Sequence, residues 1–121
     1  MYNVSDITKR SARIVVCEGE LDTVLVSGVL KMPAVGVPGV ANWKPHYPRL
    51  LNGYDMVYVC ADNDIPKEEG GDNPGQIFAK RVASEVMNAQ IVSLPPGMDI
   101  TEYYLANGYE ATRHLLGVIS D

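Results

Sequence analysis

Nowhere in this chain does an apolar run reach the roughly 18 to 20 residues that a membrane-spanning helix needs. The opening stretch, Met1-Tyr2-Asn3-Val4-Ser5-Asp6, also lacks the basic segment and following apolar segment of a secretory signal. Both absences lead to the expectation of a cytoplasmic protein with no membrane partner. Cysteine is scarce. Cys17 and Cys60 each sit inside a Val-rich run, where buried reduced thiols are expected; a disulfide framework would use more cysteines, placed in surface loops. Cationic residues are in the minority, ten Lys and Arg against fifteen Asp and Glu, for a formal net charge of −5. That balance argues against clamping DNA by bulk electrostatics, because non-specific binding runs on phosphate neutralisation. Contact with nucleic acid would need a local basic patch, a metal ion or a partner. Internal repeats and low-complexity tracts are absent as well. What is there is 121 residues, 46% apolar and 21% charged, which suits one globular domain and not a disordered chain.

Arg13-Ile14-Val15-Val16-Cys17 is a β-branched run without alternation, as expected for a strand buried on both faces of a parallel sheet. It stops at Glu18-Gly19. Leu21, Val24, Leu25, Gly28 and Val29 then recur at helical spacing, so a helix is expected from Glu20 to about Lys31. A second strand is expected at Ala34 to Val37, broken by Pro38-Gly39. The stretch from Val40 to Pro48 reads as a loop turning into a short helix through Leu51. Met56 to Ala61 is the third strand. The polar, glycine-rich segment from Ile65 to Gly75 is the expected mobile loop. Gln76 to about Met87 follows as a helix, with Ile77, Val82, Ala83, Val86 and Met87 able to form its inner face. Ala89 to Leu94 is a fourth strand, stopped by Pro95-Pro96-Gly97. Asp99 with Glu102 approaches a capping box, Asn107-Gly108 closes that helix, and a last helix spans Tyr109 to about Leu116. The alternation predicts an α/β fold: a four-stranded, mainly parallel sheet with helices on both faces.

In such sheets a site lies outside the carboxyl ends of the strands, where the strand order reverses. Strand one ends in Glu18, strand three in Asp62 and Asp64, and strand four is followed by Asp99. Asp22, one helical turn after Glu18, faces back toward the strand end. Any one of these acids would more readily be a turn or cap residue, but their joint placement at one sheet edge points to a shared function. Like charges gathered there repel unless they share protons or hold a cation. With no His or Cys among them, they suit a hard ion, Mg²⁺ or Mn²⁺, and not zinc. Asp62-Asn63-Asp64-Ile65-Pro66 fails as a calcium loop, which needs a ligand where Pro66 stands. An aspartyl-phosphate phosphatase would carry its DxD on the first strand. Val35 to Gly39 matches neither a dinucleotide fingerprint nor a P-loop.

Val16-Cys17-Glu18-Gly19-Glu20-Leu21-Asp22, Asp62-Asn63-Asp64 and Leu94-Pro95-Pro96-Gly97-Met98-Asp99 together resemble the three motifs of the Toprim domain. That domain is shared by bacterial-type primases, topoisomerases, recombination mediators and several nucleases. Ala34 to Trp43 is similar, more narrowly, to a stretch of the phage primase and primase-helicase branch. The resemblance covers about residues 13–105. It implies a Toprim catalytic domain over 13–106, an N-terminal extension over 1–12 and a C-terminal helix over 107–121. It implies Glu18, Asp62 and Asp64 as catalytic acids and metal ligands, Asp22 and Asp99 as supporting ligands, and Mg²⁺ or Mn²⁺ as cofactor. Two departures stand out. Thr101 occupies a position where many primases carry a second acid, and the connection from Asp64 to Gly75 is longer than the usual DxDxxG.

The activity implied is metal-dependent nucleotidyl transfer that makes primers for DNA replication, with single-stranded DNA template and nucleoside triphosphates as partners. Primase modules such as a zinc-binding domain and a helicase would be supplied by separate chains. Met1 favours the product of a small gene over an excised domain, although either is compatible with the sequence. If phage-encoded, the protein would work in the host-cell cytoplasm. A small Toprim nuclease and a non-catalytic replication or recombination adaptor are the alternatives. Candidate contacts to nucleotide or nucleic acid are Trp43, Lys44 and Arg49 in the loop after strand two, and Lys80 and Arg81 in the helix after DxD. For Trp43, packing of the loop onto the core is the competing role.

Overall fold

A computed structural model of the chain describes residues 1, 3, 4, 7, 12–63 and 73–117. Strands β1 (Arg13–Cys17), β2 (Ala34–Gly36), β3 (Met56–Cys60) and β4 (Ala89–Ile91) form one sheet in the order β2-β1-β3-β4. Every pairing is parallel, with Val16 opposite Val35 and Val59, and Cys17 opposite Gly36 and Cys60. Helix α1 (Glu20–Val24) continues without a break into a wider π-helical turn (Leu25–Val29). The other α-helices among the described residues are α2 (Tyr47–Leu51), α3 (Pro74–Glu85), α4 (Ile100–Asn107) and α5 (Tyr109–Leu115), with a 3-10 turn at Val40–Asn42. Among the described residues no helix is long and apolar enough to cross a membrane.

The chain moves from β1 to β2 in one direction across the sheet and from β3 to β4 in the other. Right-handed crossovers therefore place α1 and α3 on opposite faces. Two cores result. On one face Ile14, Val16, Val57 and Val59 pack with Trp43, Leu51, Phe78 and Val82. On the other, Val15, Cys17, Tyr58 and Cys60 pack with Val26, Leu30, Ile100 and Leu116. The strict alternation of Ile14-Val15-Val16-Cys17 between these clusters is why β1 reads as continuously apolar. Both cysteines are buried and unbridged.

The structure corrects the expected inner faces of two helices. Leu21 and Val24 of α1 are 77% and 61% exposed, whereas Leu25, Val26 and Leu30 are buried. Polar anchors set the phase of this helix: the Thr23 hydroxyl donates to Gly19 O (2.8 Å), and Asp22 turns toward the strand ends, 4% exposed. The π turn, closed by Leu30 N–H on Leu25 O (3.0 Å), then shifts the register of the residues after it. On α3 the buried residues are Gly75, Phe78, Ala79 and Val82, joined by Val86 just after the helix, whereas Ile77 and Met87 lie outside. Strand β4 is also shorter than the expected Ala89 to Leu94, although Val92 N–H still reaches Val59 O (2.9 Å).

Helix α3 begins earlier than expected. Asn73 caps it, accepting from Gln76 N–H at 2.8 Å, and Pro74 opens it, a position where a missing N–H costs nothing. Of the loop read from Ile65 to Gly75, residues 65–72 lie outside the described residues.

Candidate metal centre

The sheet order reverses between β1 and β3, so the carboxyl ends of these two strands open the crevice that a parallel sheet offers to ligands. Glu18 and Asp22 follow β1, and Asp62 follows β3. Asp99 arrives from the other side as the N-cap of α4, its Oδ1 accepting Glu102 N–H at 2.8 Å while Glu102 Oε1 accepts Asp99 N–H at 3.2 Å. The capping box read from the sequence is therefore present.

Asp22, Asp62 and Asp99 each direct a carboxylate oxygen to one place, and these oxygens all lie within 4.8 Å of one another. Asp22 is buried and the other two are half-buried. Thr101 holds Asp22 as well, its hydroxyl donating to Asp22 Oδ1 at 2.5 Å and its N–H to the same oxygen at 3.3 Å. Burial pushes the Asp22 carboxyl above its ordinary range; the Thr101 bonds oppose that rise and the Asp99 charge adds to it.

Glu18 stands beside this triad. Its Oε1 accepts the Asp62 N–H at 3.0 Å, tying the end of β1 to the end of β3. Asp64 lies outside the described residues. The acids read as supporting ligands, Asp22 and Asp99, are thus the ones that meet Asp62.

The donor set consists of carboxylate oxygens alone, which suits a hard divalent cation. The backbone also packs tightly around it. A Cβ at Gly75 would come within 1.8 Å of the Asp62 carbonyl oxygen and 3.0 Å of Glu18 Oε1, so only glycine lets the first turn of α3 close onto the site. These features fit Mg²⁺ or Mn²⁺.

A cavity of about 220 Å³ opens next to Asp62, with Asn63, Gln76, Lys80 and Ser93 among its lining residues. Of the basic candidates, Lys80 lines this cavity. Arg81 pairs instead with Glu85 one turn along α3. The Arg81 bond, followed by one from the Trp43 indole (3.2 Å), holds the Glu85 carboxyl below its ordinary range. Trp43 is 5% exposed, edge-on to Tyr47 and Phe78. Its ring is part of the core, the packing role of the two considered, and presents no open face for a base to stack on. Lys44 and Arg49 are exposed.

Sequence reasoning passed over Asn73, whose step into Pro74 is a readable helix start. It noted Thr101 only as a departure. No local signal could reveal its bond to Asp22, a residue 79 positions away.

The fold is similar to that of solved phage primase structures. The primase fragment of the bacteriophage T7 primase-helicase protein superimposes with a TM-score of 0.57 at 21% identity, over 84% of this chain and 42% of that one. A chain of the bacteriophage T7 lagging-strand DNA polymerase structure, which includes primase domains bound to an RNA/DNA hybrid and dTTP, gives a TM-score of 0.54 at 18% identity. That match covers 87% of this chain and 52% of that one. No family model matches the sequence. The chain belongs to the family of the Gene 57 protein of Mycobacterium phage D29, to which it is 37% identical over 111 residues, 92% of this chain and 67% of that protein.

Proposed function

We propose that the chain is a Toprim-type catalytic domain of a phage DNA primase, carrying out metal-dependent nucleotidyl transfer that makes primers for replication in the host-cell cytoplasm. One observation carries the reading: three carboxylates from three separate segments converge within 4.8 Å at the switch point of a primase-like sheet. Asp22, Asp62 and Asp99 would hold Mg²⁺ or Mn²⁺, with Asp64 as a further ligand. When bound, such an ion neutralises phosphate charge on the nucleotide and offsets charge on the attacking and leaving oxygens. Glu18 keeps the two strand ends in register through the Asp62 N–H and would stand next to the reacting 3′-hydroxyl as base or ligand. Lys80 would meet nucleotide phosphate from the cavity side. Template DNA, nucleoside triphosphates and further primase modules would be its partners, because a chain of net charge −5 has little bulk attraction for a polynucleotide.

Thermal unfolding with and without MnCl₂ tests the metal centre. A cation that binds only the folded state adds about 2.7 kcal/mol at 100 times its Kd, on the order of 10 °C in Tm for a domain of this size. The double variant Asp62→Asn with Asp99→Asn keeps shape and the α4 cap, since Asn caps as well as Asp. It should melt higher than the parent without metal and lose most of the Mn²⁺ increment. An Mn²⁺-insensitive parent would remove the catalytic reading. Supplying the chain with primase partner modules, template and ribonucleotides then separates primer synthesis from cleavage of labelled DNA or RNA; cleavage alone would make it a nuclease.

A further inference from the structure

Asn63 lies next to Asp62 but turns away from the carboxylates. Its N–H donates to Met98 O (3.0 Å) and its carbonyl accepts from Gly97 N–H (2.5 Å). Its side-chain Nδ2 donates to Leu94 O (2.6 Å), and its Oδ1 accepts from Asn73 Nδ2 (2.9 Å). Three of these four bonds reach the loop between β4 and α4, which ends in Asp99; the fourth reaches the cap of α3.

The direction of every amide in this relay is fixed by its neighbours. Leu94 O only accepts, so Nδ2 of Asn63 must face it and Oδ1 must face Asn73. Asn73 Oδ1 is taken by Gln76 N–H (2.8 Å), which leaves its Nδ2 for Asn63. Asn73 is 1% exposed, so these bonds form away from competing water. Asp62 and Asp99 belong to different segments. Asn63 fastens the Asp99 loop directly to the end of the strand that carries Asp62.

We propose that Asn63 is a positioning residue of the carboxylate centre: its amide pins the Asp99-bearing loop and the α3 cap to the end of β3, and so sets the Asp62–Asp99 separation on which cation binding depends. The proposal rests on the reading of the triad as a metal centre. Residues that orient ligands from behind typically change metal affinity by about 10- to 100-fold when replaced.

Asn63→Asp tests it with an effect of opposite sign to simple electrostatics. The variant keeps the acceptor facing Asn73, turns an oxygen onto Leu94 O, and adds a negative charge near the site. If charge alone governs binding, Mn²⁺ binds more tightly; if positioning governs it, Mn²⁺ binds about ten-fold more weakly or worse. Isothermal titration of the full chain with MnCl₂, at a temperature where circular dichroism shows each protein folded, reads the difference. Asn73→Asp is the second variant. It retains the cap oxygen of α3, puts an oxygen in place of the donor to Asn63, and should weaken Mn²⁺ binding in the same direction. An Mn²⁺ affinity within two-fold of the parent, or tighter, in Asn63→Asp overturns the proposal, even if that variant melts lower. Should Asn63→Asp fail to fold, the same outcome in Asn73→Asp overturns it. A parent chain that binds no Mn²⁺ overturns the metal-centre reading itself, which is a separate result from unchanged affinity in the variants.

Discussion

The Thr101 hydroxyl donates to Asp22 Oδ1 at 2.5 Å, joining the first turn of α4 to the first turn of α1. Two acids, Asp22 and Asp99, stand on the two helices that this bond joins, so it holds them in place as well as capping buried charge.

Thr101→Val keeps the branched shape and removes the hydroxyl. Hydrogen bonds to charged groups contribute about 1.5–3 kcal/mol, and the variant should lose that much in urea unfolding at neutral pH. A loss no larger than that of an exposed surface substitution would mean that Asp22 is held by other contacts.

The pH dependence follows from the raised Asp22 carboxyl. The folded chain binds this proton more tightly than the unfolded chain, whose carboxyl titrates near the ordinary value of 3.8. The stability that Asp22 contributes is therefore complete below that value and is lost as pH rises through the raised one. Unfolding free energies of parent and Asp22→Asn, measured without metal across this window, should diverge with rising pH, the parent falling relative to the variant. A constant difference would place Asp22 at an ordinary carboxylate pKa. Added Mn²⁺ should reduce the divergence, because it favours the ionised form.

Two glycines give opposite outcomes for the same substitution. Gly75→Ala drives a Cβ to 1.8 Å from the Asp62 carbonyl oxygen, where backbone has to move. Despite the better helix propensity of alanine, the variant should lose at least about 2 kcal/mol and bind Mn²⁺ more weakly. Gly28→Ala meets nothing within 4 Å and should gain about 0.5–1 kcal/mol. Chemical denaturation of both variants checks the pair; equal effects would contradict the close approach at Gly75.

Cys17 and Cys60 face each other in register on adjacent strands, 0% and 1% exposed. Burial raises both thiols above their ordinary range, and nearby acidic groups add to the rise. Iodoacetamide should label the folded chain at least about 10³-fold more slowly than the urea-unfolded chain, since exposure needs an opening close to global unfolding. Rapid labelling of either thiol without denaturant would show that the sheet opens locally beneath the carboxylates.

Local rules made much of this molecule legible from its sequence. Continuous β-branched runs became the buried strands β1 and β3, Pro38-Gly39 followed closely on the end of β2, and Asp99 with Glu102 made its capping box, because each of these depends largely on contacts a few residues apart. The convergence of acids at one sheet edge was also readable, since a parallel α/β alternation sends every strand end to the same side. Tertiary structure decided which of those acids meet. The 4.8 Å grouping of Asp22, Asp62 and Asp99, with Glu18 on the Asp62 N–H, depends on how segments distant in sequence pack. The outward turn of Leu21 and Val24, the insertion of Trp43 into the core, the Thr101 bond to Asp22 and the Asn63 relay have the same origin. Helical and strand periodicity specifies that a face exists; only packing against the other elements, where buried polar groups must find partners, selects which residues occupy it.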